Sequence, residues 1–160
     1  MEFAVVDAGE ERRESFTHFF SEAEPRLRHA FIARYGMDLG GEVTSDALAY
    51  AWENWKRMQE MGNPIGYLYR VGRTSARRYR RRPVGVDPAL QREPWFEPAL
   101  PDALAHLSVR QRVTVVLQHS FRWTFAEIAE LLGISLPSAQ KHESRALAKL
   151  RKDLGVETHA

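Results

Sequence analysis

The chain has 160 residues, 44% hydrophobic and 28% charged, which suits a globular protein of one or two small domains and excludes a wholly disordered one. It has no cysteine, which excludes disulfides and thiolate metal sites, and no apolar run approaches the roughly 20 residues of a membrane span. The formal net charge of +2 conceals one block, residues 61–82, with seven basic and no acidic side chains, which implies a polyanionic partner.

The opening MEFAVVDAGEERRE has neither the basic nor the apolar segment of a signal peptide, so a cytoplasmic protein is expected. From Ser15 to Tyr35, Phe16, Phe19, Phe20, Leu27, Phe31 and Ile32 fall largely on helical spacing. Gly36, Gly40 and Gly41 predict a break. Thr44 or Ser45 is the expected cap of a second helix with Leu48, Trp52, Trp55 and Met58 as its large apolar residues. Both tryptophans read as core. Gly62-Asn63-Pro64 ends that helix, and Pro64 suits the first turn of a third. The third helix carries Ile65, Leu68, Val71 and Tyr79 and runs into the arginine block. Five prolines between positions 83 and 101 forbid a continuous helix there. The expected organisation is all-α: a domain over 11–82, a Pro-rich linker over 83–98 with a candidate aromatic anchor at Trp95-Phe96, and a second domain over 99–155. Each domain is small enough to be marginal alone, and docking would help both.

The second domain opens with a short turn capped by Asp102. Ser108 caps a helix through Val113-Thr114-Val115-Val116, which has no second strand to pair with and so is not read as β. Thr124 and Glu127 form a capping-box pattern ahead of Phe125–Leu132. Gly133 ends that helix, and Ser135 caps the last one, from about Leu136 to Lys152. Ala129 is small enough for a close helix crossing, and Ile134 fills the gap between the two helices. This is the pattern of a helix-turn-helix, which presents its second helix to the DNA major groove.

The segments Leu107–Leu117, Thr124–Ala129 and Ser144–Arg151 resemble region 4 of bacterial sigma factors. Gly41–Trp55 and Pro64–Thr74 resemble region 2. Two helical domains and a linker in a chain of this length are similar to the extracytoplasmic-function (ECF) class. Some positions depart from the family pattern. Gly41-Glu-Val-Thr-Ser stands at the core-binding signature, Gly72-Arg-Thr replaces Ala-Arg-Asn, and Ala139 and Glu143 stand where aliphatic residues are usual.

The resemblance implies a protein, not an enzyme, that binds core RNA polymerase at the largest-subunit clamp and the flap and directs it to promoter DNA. An anti-sigma factor is a further implied partner. Ser138, Gln140, Lys141, Ser144 and Arg145 are the implied −35 contacts. Gln suits adenine and Lys or Arg suits guanine. Arg70, Arg73, Arg77, Arg78, Arg80 and Arg81 suit the phosphates of the −10 region. Asn63, in the implied base-capturing loop, either reads a base edge or caps a helix. Glu42, Asp46, Glu53 and Asn54 are the implied polymerase contacts. No nucleophile–base pair, phosphate loop or metal-ligand spacing points to catalysis or a cofactor. The competing readings are a sigma-like regulator that binds DNA without melting it, which the region 2 departures favour, and a protein-binding adaptor.

Overall fold

In a computed structural model that describes residues 2–79 and 97–156 (backbone alone for 2–6), helix α1 runs from Glu2 to Tyr35, longer than its apolar spacing predicts. Part of the reason is Arg12. Its guanidinium lies 4.5 Å from the centre of the Trp52 ring and donates to the Trp52 carbonyl at 2.8 Å, so the extension is tied to the C-terminal end of the next helix.

Only Gly36, with φ 86°, breaks the chain; α2 begins at Met37 and runs to Glu53 through both expected breakers. Gly40 serves close packing instead. A Cβ there would stand 2.7 Å from the Ile32 backbone nitrogen, so α1 and α2 cross at a distance only glycine permits. Thr44 and Ser45 are not caps. Inside α2, their hydroxyls donate to the Gly40 and Gly41 carbonyls at 2.7 and 3.2 Å. Asn54 closes α2 by donating its amide to the Tyr50 carbonyl at 2.9 Å, and a single turn, α3, follows from Trp55 to Met58. Trp55 is core, with its indole N–H on Ser15 Oγ at 2.8 Å. Trp52 is not core, being 38% exposed beneath Arg12 and beside Phe16.

Helix α4, Pro64–Ser75, is capped by Asn63 and tightens into a 3-10 turn over Ala76–Tyr79. Its buried face is Gly66, Leu68, Tyr69 and Gly72, whereas Ile65, Val71 and Tyr79 are half-buried. Residues 80–96, which hold Arg80, Arg81, Trp95, Phe96 and most of the expected linker, lie outside the described residues.

The C-terminal helices are α5 (Leu100–Ala105), α6 (Val109–His119), α7 (Phe125–Leu132) and α8 (Leu136–Asp153). Asp102 lies in the first turn of α5 and does not cap it, because the helix already starts at Leu100 beside Pro101. No strand occurs among the described residues; Val113–Val116 is helical.

The N-terminal core of Leu27, Phe31, Val43, Met58, Leu68 and Tyr69 continues without a break into Val113, Leu117, Trp123, Ile128 and Leu131 of the C-terminal helices. A second cluster of Ala103, Leu107, Val115, Ala146 and Leu150 joins α5 and α6 to α8. Neither half holds a large core, and each completes its burial on the other. No described helix is long and apolar enough to cross a membrane.

Candidate nucleic-acid interface

Three local signals place α8. Thr124 Oγ1 accepts from the Glu127 N–H at 3.2 Å and starts α7. Gly133, at φ 65°, ends α7 in a left-handed turn. Ser135 Oγ then accepts from the Ser138 N–H at 3.2 Å and starts α8. Ala139, Ala146 and Leu150 turn inward, and Gln140, Lys141, Ser144 and Arg145 are all exposed on the other face. Ser138 belongs to the cap: its hydroxyl accepts from Ser135 Oγ at 2.8 Å and it is half-buried.

The exposed face carries the positive charges of Lys141 and Arg145. His142 on its flank has a pKa below its ordinary 6.5, through burial first and then the charges of Arg110, Arg145 and Lys141. The acidic Glu143 points away from that face. Its carboxylate meets His119 Nε2 of α6 at 3.0 Å, which makes a polar interhelix contact where aliphatic packing is usual. Ala139 fits the crowded start of α8 and is fully buried.

The second basic surface lies on the N-terminal helices. Arg70, Arg73, Arg77 and Arg78 are exposed along α4 and its 3-10 extension, and none has a carboxylate partner within ion-pair distance among the described residues. Tyr67, Arg70 and Thr74 share one helical face, spaced three and four residues apart. Asn63, exposed at the start of α4, uses one hydrogen-bonding position at each end of its amide and keeps a second at each. Oδ1 accepts from the Gly66 N–H at 2.9 Å, and Nδ2 donates to the Glu130 carbonyl of α7 at 3.1 Å.

Residues 98–150 match the family model for sigma-70, region 4. The whole chain is 30% identical to RNA polymerase sigma factor CarQ of Myxococcus xanthus over 161 positions, covering 89% of this chain and 91% of the relative. The chain belongs to the sigma-70 family of RNA polymerase sigma factors. The fold agrees. The sigma factor RpoE from Bartonella quintana, solved with the anti-sigma factor NepR, superposes with a TM-score of 0.65 at 22% identity over 90% of this chain and 99% of that one. CnrH, solved with the cytosolic domain of CnrY, gives 0.61 at 22% identity over 91% of both chains.

The polar residues expected on the polymerase side of this sigma factor are unequally available. Glu53 is exposed. Asp46 is half-buried and accepts from the Tyr79 hydroxyl at 3.1 Å, and Asn54 holds the end of α2. Glu42 is half-buried.

One exposed cation escaped the sequence reading. Arg57 Nη2 donates to the hydroxyls of Tyr50 at 2.7 Å and Tyr67 at 2.9 Å, and those hydroxyls are themselves 2.8 Å apart. The phenols fix the guanidinium without neutralising it, at the end of the Tyr67–Arg70–Thr74 face. Arg57 lies outside the arginine block, so charge counting passes it over; its link to Tyr67, ten residues on, is tertiary.

Proposed function

We propose that this sigma factor binds core RNA polymerase and directs promoter-specific initiation. In this reading Gln140, Lys141, Ser144 and Arg145 of α8 meet the −35 element. The carrying observation is that α8 exposes these four side chains on one face while the carboxylate in the same stretch, Glu143, is drawn back to His119. Ser138 contributes through the cap that sets the angle of α8.

The basic surface of α4 grips the −10 phosphates through Arg70, Arg73, Arg77 and Arg78, joined by Arg57; Arg80 and Arg81, next in sequence, are assigned the same role. Phosphate contacts of this kind give affinity and register, and base contacts give sequence choice. Asn63 is the base-reading side chain of the loop that precedes α4. The polymerase clamp docks against α1 and α2, where Glu53 and the exposed rings of Phe20 and Trp52 flank a groove lined by Phe16, Thr44 and Leu48. Glu42, Asp46 and Asn54 border the same helix. The second domain takes the polymerase flap. The functional units are residues 11–82 and 99–155, joined by the Pro-rich segment. The complexes of RpoE with NepR and of CnrH with CnrY support an anti-sigma factor as a further partner of this chain.

Size exclusion of the purified protein with sigma-free core polymerase tests the reading. A stable complex is expected. DNA binding with no complex would instead leave a helix-turn-helix regulator on a sigma-like frame.

A further inference from the structure

Arginines from three helices gather where α6 docks on α1 and α4. Arg34, in the last turn of α1, donates from Nε to the Tyr35 hydroxyl at 3.1 Å and from Nη1 to the Tyr69 hydroxyl of α4 at 3.3 Å. Arg112 of α6 donates from Nη2 to the Arg34 carbonyl at 3.3 Å. Arg73 follows Tyr69 by one helical turn on α4, and its charge acts on the same phenol. None of the three has a carboxylate partner within ion-pair distance among the described residues. Arg34 and Arg112 are half-buried and Arg73 is exposed, so the cluster runs from the seam between the helices out to the surface.

A structural role accounts for part of this. Arg112 closes the C-terminal end of α1, a place that suits a cation. That role uses one of its five N–H groups, and Arg34 uses two of its own five on the phenols. Burial, and then the charge of Arg34, hold the Arg112 pKa below its ordinary value, so the two guanidiniums oppose each other across the seam. The phenols do not neutralise them. Burial raises the Tyr69 pKa, which keeps its O–H a donor. Both hydroxyls accept from Arg34, and neither O–H has an acceptor among the described residues, although Tyr69 is only 1% exposed. A buried donor left in that state costs free energy. The set as a whole, three guanidiniums and two phenolic O–H groups, is complementary to an anion with several acceptor oxygens.

We propose that Arg34, Arg73 and Arg112, with the hydroxyls of Tyr35 and Tyr69, form a binding site for a small anion bearing two or more phosphoryl groups. Charge selects that class. A single phosphate carries about −1.5 to −2 at pH 7, which leaves three arginines under-neutralised, whereas a di- or triphosphate balances them. The forked guanidinium also suits phosphate oxygens in pairs. Position selects a free small molecule over DNA. A duplex backbone can reach the exposed Arg73, but Arg34 and Arg112 sit half-buried among three helices. Only Arg73 is shared with the promoter surfaces, so the inference stands apart from the promoter reading. Inorganic pyrophosphate and a nucleoside triphosphate are two sources of the same chemistry.

Isothermal titration of the full chain with sodium pyrophosphate, and separately with adenosine triphosphate, tests the site. Ionic strength is held constant with sodium chloride, and sulfate is the control anion. Saturable one-to-one binding of at least one probe is expected, with sulfate at least about tenfold weaker. Pyrophosphate favoured over the nucleotide assigns the site to the inorganic anion, and the reverse order assigns it to the nucleotide. Arg112→Gln, whose amide can still cap α1, is expected to weaken binding about tenfold, and Tyr35→Phe about threefold, with helical circular dichroism intact. Arg151→Gln, which removes an exposed cation of α8, should leave affinity unchanged. Three results overturn the proposal: neither probe binds saturably, sulfate binds as tightly, or affinity ignores both Arg112→Gln and Tyr35→Phe. An equal loss in Arg151→Gln also overturns it. The titration needs neither polymerase nor promoter, so a chain that starts no transcript fails the promoter reading alone.

Discussion

Gly72 of α4 packs against the tip of the Phe31 ring of α1: a Cβ at Gly72 would stand 2.7 Å from Phe31 Cε1 and closer still to Cζ, inside the ring's contact distance. Phe31 is fully buried and stacks on Tyr69 with centroids 5.4 Å apart, so it has no room to retreat. The family pattern has alanine at this position, and this chain's glycine is the counterpart of its phenylalanine. Gly72→Ala is expected to destabilise the protein by about 1–3 kcal/mol through overpacking, despite the better helix propensity of alanine. Phe31→Leu in the same chain should recover part of that loss. Urea denaturation of the three variants measures both effects, and a stabilised Gly72→Ala protein would contradict the packing account.

Acid should loosen the docked interface. Burial disfavours the His29 imidazolium, the Arg28 charge adds to that, and Glu24 offsets it in part, so the folded pKa lies below the ordinary 6.5. The groups against it from the other half are Phe121 and Trp123, with Arg26 over the latter. Because the unfolded chain takes up this proton first as pH falls, the contribution is fully present above about pH 7 and declines through 6.5 towards the folded value. Protonation also removes the Nδ1 lone pair that accepts from Trp123. Thermal denaturation at pH 7.5 and 5.5 should show wild type losing more stability than His29→Phe, which keeps the stack and cannot titrate. Equal losses would remove His29 from the account.

Arg57 should act as a phosphate contact. Arg57→Ala in the holoenzyme is expected to weaken binding to −10 DNA about equally across sequences and to lower the salt-dependence slope by about one. Tyr67→Phe, which removes one of its two anchors, should give a smaller loss. A change confined to one promoter sequence would mean that Arg57 reads a base.

Local signals made the C-terminal half legible in the sequence. Ser108, with both of its capping-box hydrogen bonds to Gln111, the Thr124 and Ser135 caps and the left-handed Gly133 all act within four residues of chain, and the helices they bound start where the residues predict. The N-terminal half was less legible because its decisive contacts are tertiary. Gly40 resembles a breaker until Ile32 lies against it, and Trp52 resembles core until Arg12, forty residues away, covers it at the surface. The exposed face of α8 follows from helical periodicity once its start is known. The second role of Asn63 does not, since the Glu130 carbonyl lies 67 residues further along the chain.

The central claim is that the exposed face of α8 selects a promoter for core polymerase. Run-off transcription from a promoter library with reconstituted holoenzyme tests it most directly. The account predicts a defined class of start sites, lost or respecified in Lys141→Ala and Arg145→Ala at about 1–3 kcal/mol for each base contact removed. A holoenzyme that forms and starts no transcript, or start sites indifferent to both substitutions, would contradict it.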